Sequence, residues 1–74
     1  MVNNNELKVM DEISREKSLT QRDLSRKTRL SLGAVNLILK RLIGRGAVKS
    51  KELNAKKIEY LLTPKGLSEK AKKS

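Results

Sequence analysis

Three apolar residues near the start of the chain follow helical spacing: Leu7, Met10 and Ile13. Residues three apart lie on one face of an α-helix, so the pattern predicts a first helix over about residues 5–16. Val9 lies off this face, which makes it a candidate for contact with a partner. Residues 1–5 are polar and are expected to fray.

The next two predicted helices each begin with a capping residue. Thr20 stands three residues before Asp23, which is the spacing of a capping box, and predicts a helix over about residues 21–28. Ser31 is the cap of a helix over about residues 32–45. This third helix gives the strongest signal, because four apolar residues repeat with the period of a buried stripe: Val35, Ile38, Leu39 and Leu42. Gly46, just past its end, suits a left-handed backbone.

The last third of the chain predicts a hairpin and a final helix. Two short strands are expected over residues 47–52 and 58–62, separated by a polar tip. Thr63 and Pro64 then suit the cap and first position of a helix over about residues 64–73. Its inward candidates are Leu67 and Ala71.

The element order is therefore helix, helix, helix, strand, strand, helix. It predicts a mainly α fold with a small β-hairpin, a winged helix-turn-helix, formed by one domain over residues 1–74. A very short further strand near Ser18-Leu19 is compatible with this pattern, and residues 72–74 are expected to fray.

The charge of the chain indicates what kind of partner it binds. The chain has 18 Lys and Arg against 8 Asp and Glu, a net charge of +10. Residues 1–16 hold two basic and four acidic residues, whereas residues 17–74 hold 16 basic and four acidic ones. Such an excess points to a polyanionic partner and to a basic face from which the first helix is turned away.

The residue types that are missing exclude several functions. With no Cys and no His, the chain has no disulfides, ordinary zinc sites or His-based catalysis, so we expect no enzyme, cofactor or metal. Tyr60 is the one aromatic residue, and it is expected in the core. Binding of single strands and of membranes usually needs more aromatic residues, so a duplex is the favoured partner. We expect a cytoplasmic, nucleoid-associated protein without membrane contact.

Several motifs together resemble the MarR-type winged-helix transcriptional regulators, and most closely the small exopolysaccharide-associated subgroup. The resemblance covers roughly residues 6–72, and its motifs are Ser18-Leu19-Thr20-Gln21-Arg22-Asp23-Leu24-Ser25, Leu30-Ser31-Leu32-Gly33, Val35-Asn36, Leu39-Lys40, Leu42-Ile43 and Leu61 to Ala71. Arg29 stands where the family usually has Gly. The family dimerises through longer terminal helices, so a homodimer is one option here, and no small-molecule effector is expected.

A winged helix places the third helix in the major groove and the hairpin against the flanking backbone. Asn36 is the best candidate for reading adenine, while Ala34 and Leu37 suit a thymine methyl group and Gly33 allows close approach. Lys40 and Arg41 are expected to grip phosphates. The full predicted DNA-binding set is Gln21, Arg22, Ser31, Gly33, Ala34, Asn36, Leu37, Lys40, Arg41, Lys49, Lys51, Lys56 and Lys57.

The favoured function is sequence-specific binding of double-stranded DNA and regulation of transcription. Two alternatives stay open. In the first, the winged helix docks onto another protein through Leu32, Leu37 and Val9. In the second, the chain recognises structured RNA.

Overall fold

The computed structural model describes residues 3–16, 18–55 and 57–73 of the chain. Four helices and one two-stranded sheet follow each other in the predicted order. Their bounds are α1 Asn4–Arg15, α2 Gln21–Thr28, α3 Leu32–Gly44, β1 Val48–Asn54, β2 Lys57–Leu62 and α4 Pro64–Lys73. The predicted fold class, mainly α with a small hairpin, is confirmed.

Helix α1 begins slightly earlier than the apolar pattern predicted, because Asn3 caps it. The Glu6 amide donates to Asn3 Oδ1 at 2.7 Å, and the Asn3 amide donates to the Glu6 carboxylate at 3.4 Å. This is a capping box, which satisfies two free amides at once. Sequence analysis identified the same device at Thr20 and Asp23, where it is also present, but missed it at Asn3.

One apolar core lies between the helices and the base of the hairpin. Its buried members are Val9, Met10, Ile13, Leu19, Leu24, Val35, Ile38, Leu39, Leu42, Ala47, Val48 and Tyr60. The predicted positions of Met10, Ile13 and Tyr60 are confirmed. The suggestion that Val9 contacts a partner was wrong, because its side chain is fully buried in this core. The buried stripe of α1 is therefore wider than the three-residue spacing indicated.

Two left-handed residues end the second and third helices. Arg29 follows α2 with φ 61°, which is the backbone position that usually favours Gly. Gly46 follows α3 with φ 80°, as predicted. Beyond it the Ala47 amide donates to the Leu42 carbonyl at 2.8 Å, which closes a Schellman motif.

The hairpin pairs β1 and β2 antiparallel, with Val48 opposite Leu62 and Ser50 opposite Tyr60. The register shifts between Glu52 and Asn54, where β1 carries an extra residue. The further strand considered at Ser18-Leu19 does not form, since these residues belong to neither strand of the sheet.

Helix α4 packs differently from the prediction. The inward candidates Leu67 and Ala71 are both exposed, and Leu67 is 53% accessible. The buried position is Gly66, where an added Cβ would lie 2.0 Å from the Ala47 carbonyl oxygen. Thr63 caps the helix as predicted, because its hydroxyl accepts from the Gly66 amide at 3.1 Å. Close backbone contact, and not an apolar side chain, holds the start of α4.

An ion cluster ties α1, the end of α3 and α4 together. The Arg45 guanidinium donates to both carboxylate oxygens of Glu6, at 3.2 and 3.1 Å, and to Glu69 at 3.0 Å. Only 4% of the Glu6 side chain is accessible. Burial alone raises the pKa of Glu6, but the hydrogen bonds and charge of Arg45 outweigh it, so the net pKa lies below the ordinary value of 4.5.

Candidate nucleic-acid interface

Helix α3 presents a solvent-facing surface opposite its buried stripe. Ser31 caps the helix, and its hydroxyl accepts from the Ala34 amide at 3.1 Å. Ser31 therefore caps the helix, as expected from the sequence, and its side chain is also exposed. The predicted site residues of this helix keep to the same side: Gly33, Leu37, Lys40 and Arg41 are exposed, and Ala34 and Asn36 are half-buried.

The middle of this surface is open and uncharged. Beyond the neighbouring residues and the backbone of the helix itself, nothing lies within 4 Å of the place where a Cβ on Gly33 would stand, and Leu37 is 50% accessible. Leu32, at the start of the helix, is 48% accessible. Uncharged side chains of this kind suit contact with base edges and thymine methyl groups, whereas the neighbouring cations suit contact with phosphates.

Asn36 is joined to the start of α2 by a hydrogen bond. Its Nδ2 donates to Gln21 Oε1 at 3.3 Å, and Gln21 Nε2 donates in turn to the Tyr60 hydroxyl at 3.2 Å. Two predicted site residues, on α2 and on α3, are thus in direct contact. The sequence placed Gln21 against the DNA backbone, but in the structure both ends of its amide are engaged within the protein.

An open cleft lies beside these bonds, lined by Thr20, Gln21, Ile58 and Tyr60. Arg22, the next residue of α2, is exposed. The start of α2 is fixed by the Thr20 cap, and the backbone and side chain of Thr20 together with Arg26 lower the pKa of Asp23. The start of α2 is thereby held beside α3, with Arg22 directed outward.

Arg41, exposed on the α3 surface, also interacts with α1. Its charge contributes to the lowered pKa of Glu6, so the two side chains are close enough to interact. Arg45, one turn further on, is absorbed into the ion cluster with Glu6 and Glu69. Sequence analysis did not single out Arg45, and its cluster joins residues 39 and 24 positions apart, which no local pattern reveals.

The hairpin carries three of its predicted lysines on one face. Residues alternate between the two faces of a strand, and the buried residues Val48 and Tyr60 mark the core side. Lys49, Lys51 and Lys57 therefore share the outer face, and all three are exposed. Lys51 stands opposite Glu59, which offsets part of its charge. Lys56, the fourth lysine predicted for the wing, lies outside the described residues.

Two apolar side chains are also exposed near the tip of the hairpin. Leu53 is 45% accessible at the register shift, and Ile58 is 41% accessible on the other strand. The sequence analysis did not include them in the interface. The described residues hold no group of three or more carboxylate, Cys or His side chains placed to bind a metal ion. None of the helices in residues 3–16, 18–55 and 57–73 has the length and apolar character of a membrane span.

A family model described as winged helix-turn-helix DNA-binding matches residues 2–49. No curated protein sequence matches the chain significantly. Several solved structures do: wild-type MarR from E. coli, without ligand, is 25% identical with a TM-score of 0.84, over 96% of this chain and 54% of that one. Streptococcus pneumoniae FabT in complex with DNA is 22% identical with a TM-score of 0.83, over 97% and 52%.

The PcaV transcriptional regulator of Streptomyces coelicolor, in complex with its natural ligand, is also similar. It is 19% identical with a TM-score of 0.85, over 95% of this chain and 51% of that one. The present chain thus spans about half the length of these structures. The resemblance to MarR-type regulators is confirmed, and the exopolysaccharide-associated subgroup stays a prediction.

Proposed function

Because the chain belongs to the winged helix-turn-helix DNA-binding family, we propose that it binds double-stranded DNA sequence-specifically and regulates transcription, at the nucleoid. The observation that carries this proposal is the α3 surface, where uncharged side chains at the centre are flanked by Lys40 and Arg41. FabT, which has a similar fold, was solved with DNA bound. These facts support the same use of the fold here.

In this proposal the uncharged and the basic side chains of the surface have different roles. Asn36 and Leu37 contact base edges in the major groove and set the sequence preference. Arg22, Lys40 and Arg41 contact phosphates, and the hairpin lysines contact the flanking backbone, which gives affinity without sequence information. The homodimer and the absence of an effector stay predictions, although PcaV was solved with its natural ligand.

The test is selection of bound fragments from random duplex DNA, followed by affinity measurements on the selected sequence and on an unrelated one. We expect a motif to emerge. Asn36→Ala should bring the two affinities closer together, whereas Lys57→Ala should weaken both by about the same factor. Equal losses on both sequences for both variants would contradict the assigned roles.

Two further arms separate the alternatives. Duplex RNA of the same length should compete poorly with the selected DNA, and strong competition would favour an RNA-binding function. Failure to retain any duplex would remove the proposed function. Protein docking then becomes the favoured alternative, and the exposed Leu32 and Leu37 are its contacts.

A further inference from the structure

The geometry points to Tyr60 as a positioning residue that, through Gln21, fixes how Asn36 faces DNA and so selects adenine over guanine. This inference rests on the proposed function and names the base that the site recognises. Tyr60, Gln21 and Asn36 form what we call the amide relay. It connects the hairpin to the recognition helix through two hydrogen bonds, of 3.2 and 3.3 Å.

The relay leaves Asn36 with a defined pair of free hydrogen-bonding groups. A side-chain amide has one acceptor oxygen and two N–H donors. One N–H of Asn36 is given to Gln21, so the oxygen Oδ1 and the second N–H remain for the partner. Adenine offers an N6 amino donor and the N7 acceptor in the major groove, and this is the pair that the free groups of Asn36 match.

Guanine offers a different pair at the same edge. Its N7 and O6 are both acceptors, so Asn36 Oδ1 would face another oxygen. An unanchored Asn36 could turn its amino group towards guanine and donate one N–H to each of these acceptors. The relay opposes that arrangement, because one of the two Asn36 N–H groups is already given to Gln21 Oε1. Discrimination therefore depends on what holds Gln21.

Tyr60 is the fixed end of the relay. The residue is only 5% accessible, and its backbone pairs with Ser50 in the hairpin. The hydroxyl accepts from Gln21 Nε2, and this bond holds the Gln21 amide in place beside Asn36, where the Gln21 oxygen accepts an N–H. Gln21 and Asn36 themselves are half-buried, so neither amide is held by packing alone.

The first test is Tyr60→Phe, which removes the hydroxyl and keeps the buried ring. The readout is the ratio of affinities for the selected duplex and for the same duplex with guanine in place of adenine, at the position whose preference Asn36→Ala abolishes. We expect this ratio to fall by about fivefold, a part of what a bidentate amide–adenine pair supplies. Ser14→Ala, which removes an exposed hydroxyl on α1, is the matched control and should keep the wild-type ratio.

A second variant keeps the test independent of the core. Gln21→Ala removes the relay at the surface, and we expect the same loss of the adenine-to-guanine ratio. The salt dependence of binding should keep its slope in both variants, because neither removes a cation. A merely structural role for Tyr60 would instead change the thermal midpoint while leaving the ratio unchanged.

The third variant is a rescue. Both oxygens of Glu accept, so Gln21→Glu can receive the Asn36 N–H whichever group holds its other end. In the Tyr60→Phe background it should restore the wild-type adenine-to-guanine ratio, while its negative charge lowers affinity for every duplex. A preference that changes to guanine in Gln21→Glu would contradict the proposed role of the amide relay.

The outcomes separate the two proposals. If folded Tyr60→Phe keeps the wild-type ratio, or if the base at the Asn36-dependent position is not adenine, the relay is wrong and duplex binding stands. If the wild-type protein retains no duplex at all, the proposed function is wrong, and the relay with it.

Discussion

Arg29 holds a backbone conformation that its side chain disfavours. At φ 61° the Cβ of an L-residue crowds the neighbouring carbonyl, which costs roughly 1–2 kcal/mol. The Arg29 side chain is exposed, so it gains little packing in return. The strain persists because the Thr20 and Ser31 caps fix the helices on either side of this turn. The departure from the family's Gly, seen in the sequence, therefore has a measurable energetic consequence.

We predict that Arg29→Gly stabilises the protein by about 1 kcal/mol, because Gly adopts this conformation without strain. In a domain of this size the thermal midpoint should rise by about 4–8 °C. Thermal unfolding followed by circular dichroism measures it. Arg29→Ala is the control, since it removes the same charge and keeps the Cβ, and it should leave the midpoint nearly unchanged. A rise of equal size in both variants would assign the effect to charge.

At the scale of elements, sequence patterns predicted each helix and strand because their signals are local. Thr20, Ser31 and Thr63 mark helix starts within a few residues, and the stripe of α3 lies within two turns. How the elements pack against one another was harder to predict from the sequence. The bond between Asn36 and Gln21 spans 15 positions and depends on how α2 crosses α3, which periodicity does not encode. Sequence therefore named these two site residues without showing that they touch.

Two glycines near helix ends, Gly66 in α4 and Gly44 in α3, provide the sharpest contrast in packing. Gly66 lies against the Ala47 backbone, whereas a Cβ at Gly44 would meet nothing within 4 Å. We predict that Gly66→Ala destabilises the fold by about 2–3 kcal/mol, because the start of α4 must move away from the Ala47 backbone. Gly44→Ala should instead stabilise it by about 0.5–1 kcal/mol, through the higher helix propensity of Ala. Urea denaturation of both variants checks this, and shifts of the same sign would contradict it.

The ion cluster makes a pH-dependent connection between elements. The pKa of Glu6 is lower in the folded protein than its ordinary value of 4.5, so its contribution to stability is complete above that pH. It is lost as the pH falls below 4.5 and through the lowered pKa, where the folded carboxylate takes up a proton. In acid, the ion pairs that join α1 and α4 to the end of α3 should therefore weaken.

We predict that Glu6→Gln lowers the free energy of unfolding by about 2 kcal/mol at pH 7, since Arg45 keeps Glu69 but loses its most buried partner. Below pH 4.5 the difference from the wild type should shrink. Urea denaturation from pH 7 to pH 3 measures both effects. Glu12→Gln, on the same helix but outside the cluster, is the control and should follow the wild-type pH profile. A constant difference across this range would exclude the cluster as its source.

At the scale of the whole molecule, the acidic residues of α1 neutralise cations that come from other elements of the fold. Its acidic residues pair with cations from other elements: Asp11 with Lys70 at 3.4 Å, and Glu6 with Arg45 at 3.1 Å. Glu16, which follows α1, pairs with Lys27 at 3.2 Å. The uneven charge along the sequence thus corresponds to two groups of cations with different roles. The cations in these ion pairs stabilise the fold, whereas Lys40 and the described hairpin lysines are exposed and available to a polyanion.

The exposed cations of the proposed interface set the salt dependence of binding. The described ones are Arg22, Lys40, Arg41, Lys49, Lys51 and Lys57. If one protein chain neutralises about six phosphates, the logarithm of the association constant should fall against the logarithm of salt concentration with a slope near −5. Two chains on one site would double it. Fluorescence anisotropy with a labelled duplex, titrated at several salt concentrations, measures the slope.

Single substitutions then show how much each cation contributes to the salt dependence of binding. Lys40→Ala should reduce its magnitude by about 0.9, which is the release expected from one phosphate contact. Arg15→Ala is the matched control, because Arg15 pairs with Asp11 on α1 at 3.0 Å and lies outside the proposed interface. It should leave the slope unchanged. If both variants reduced the slope equally, attraction would come from the net charge of +10 as a whole, and the α3 surface would have no special part in binding.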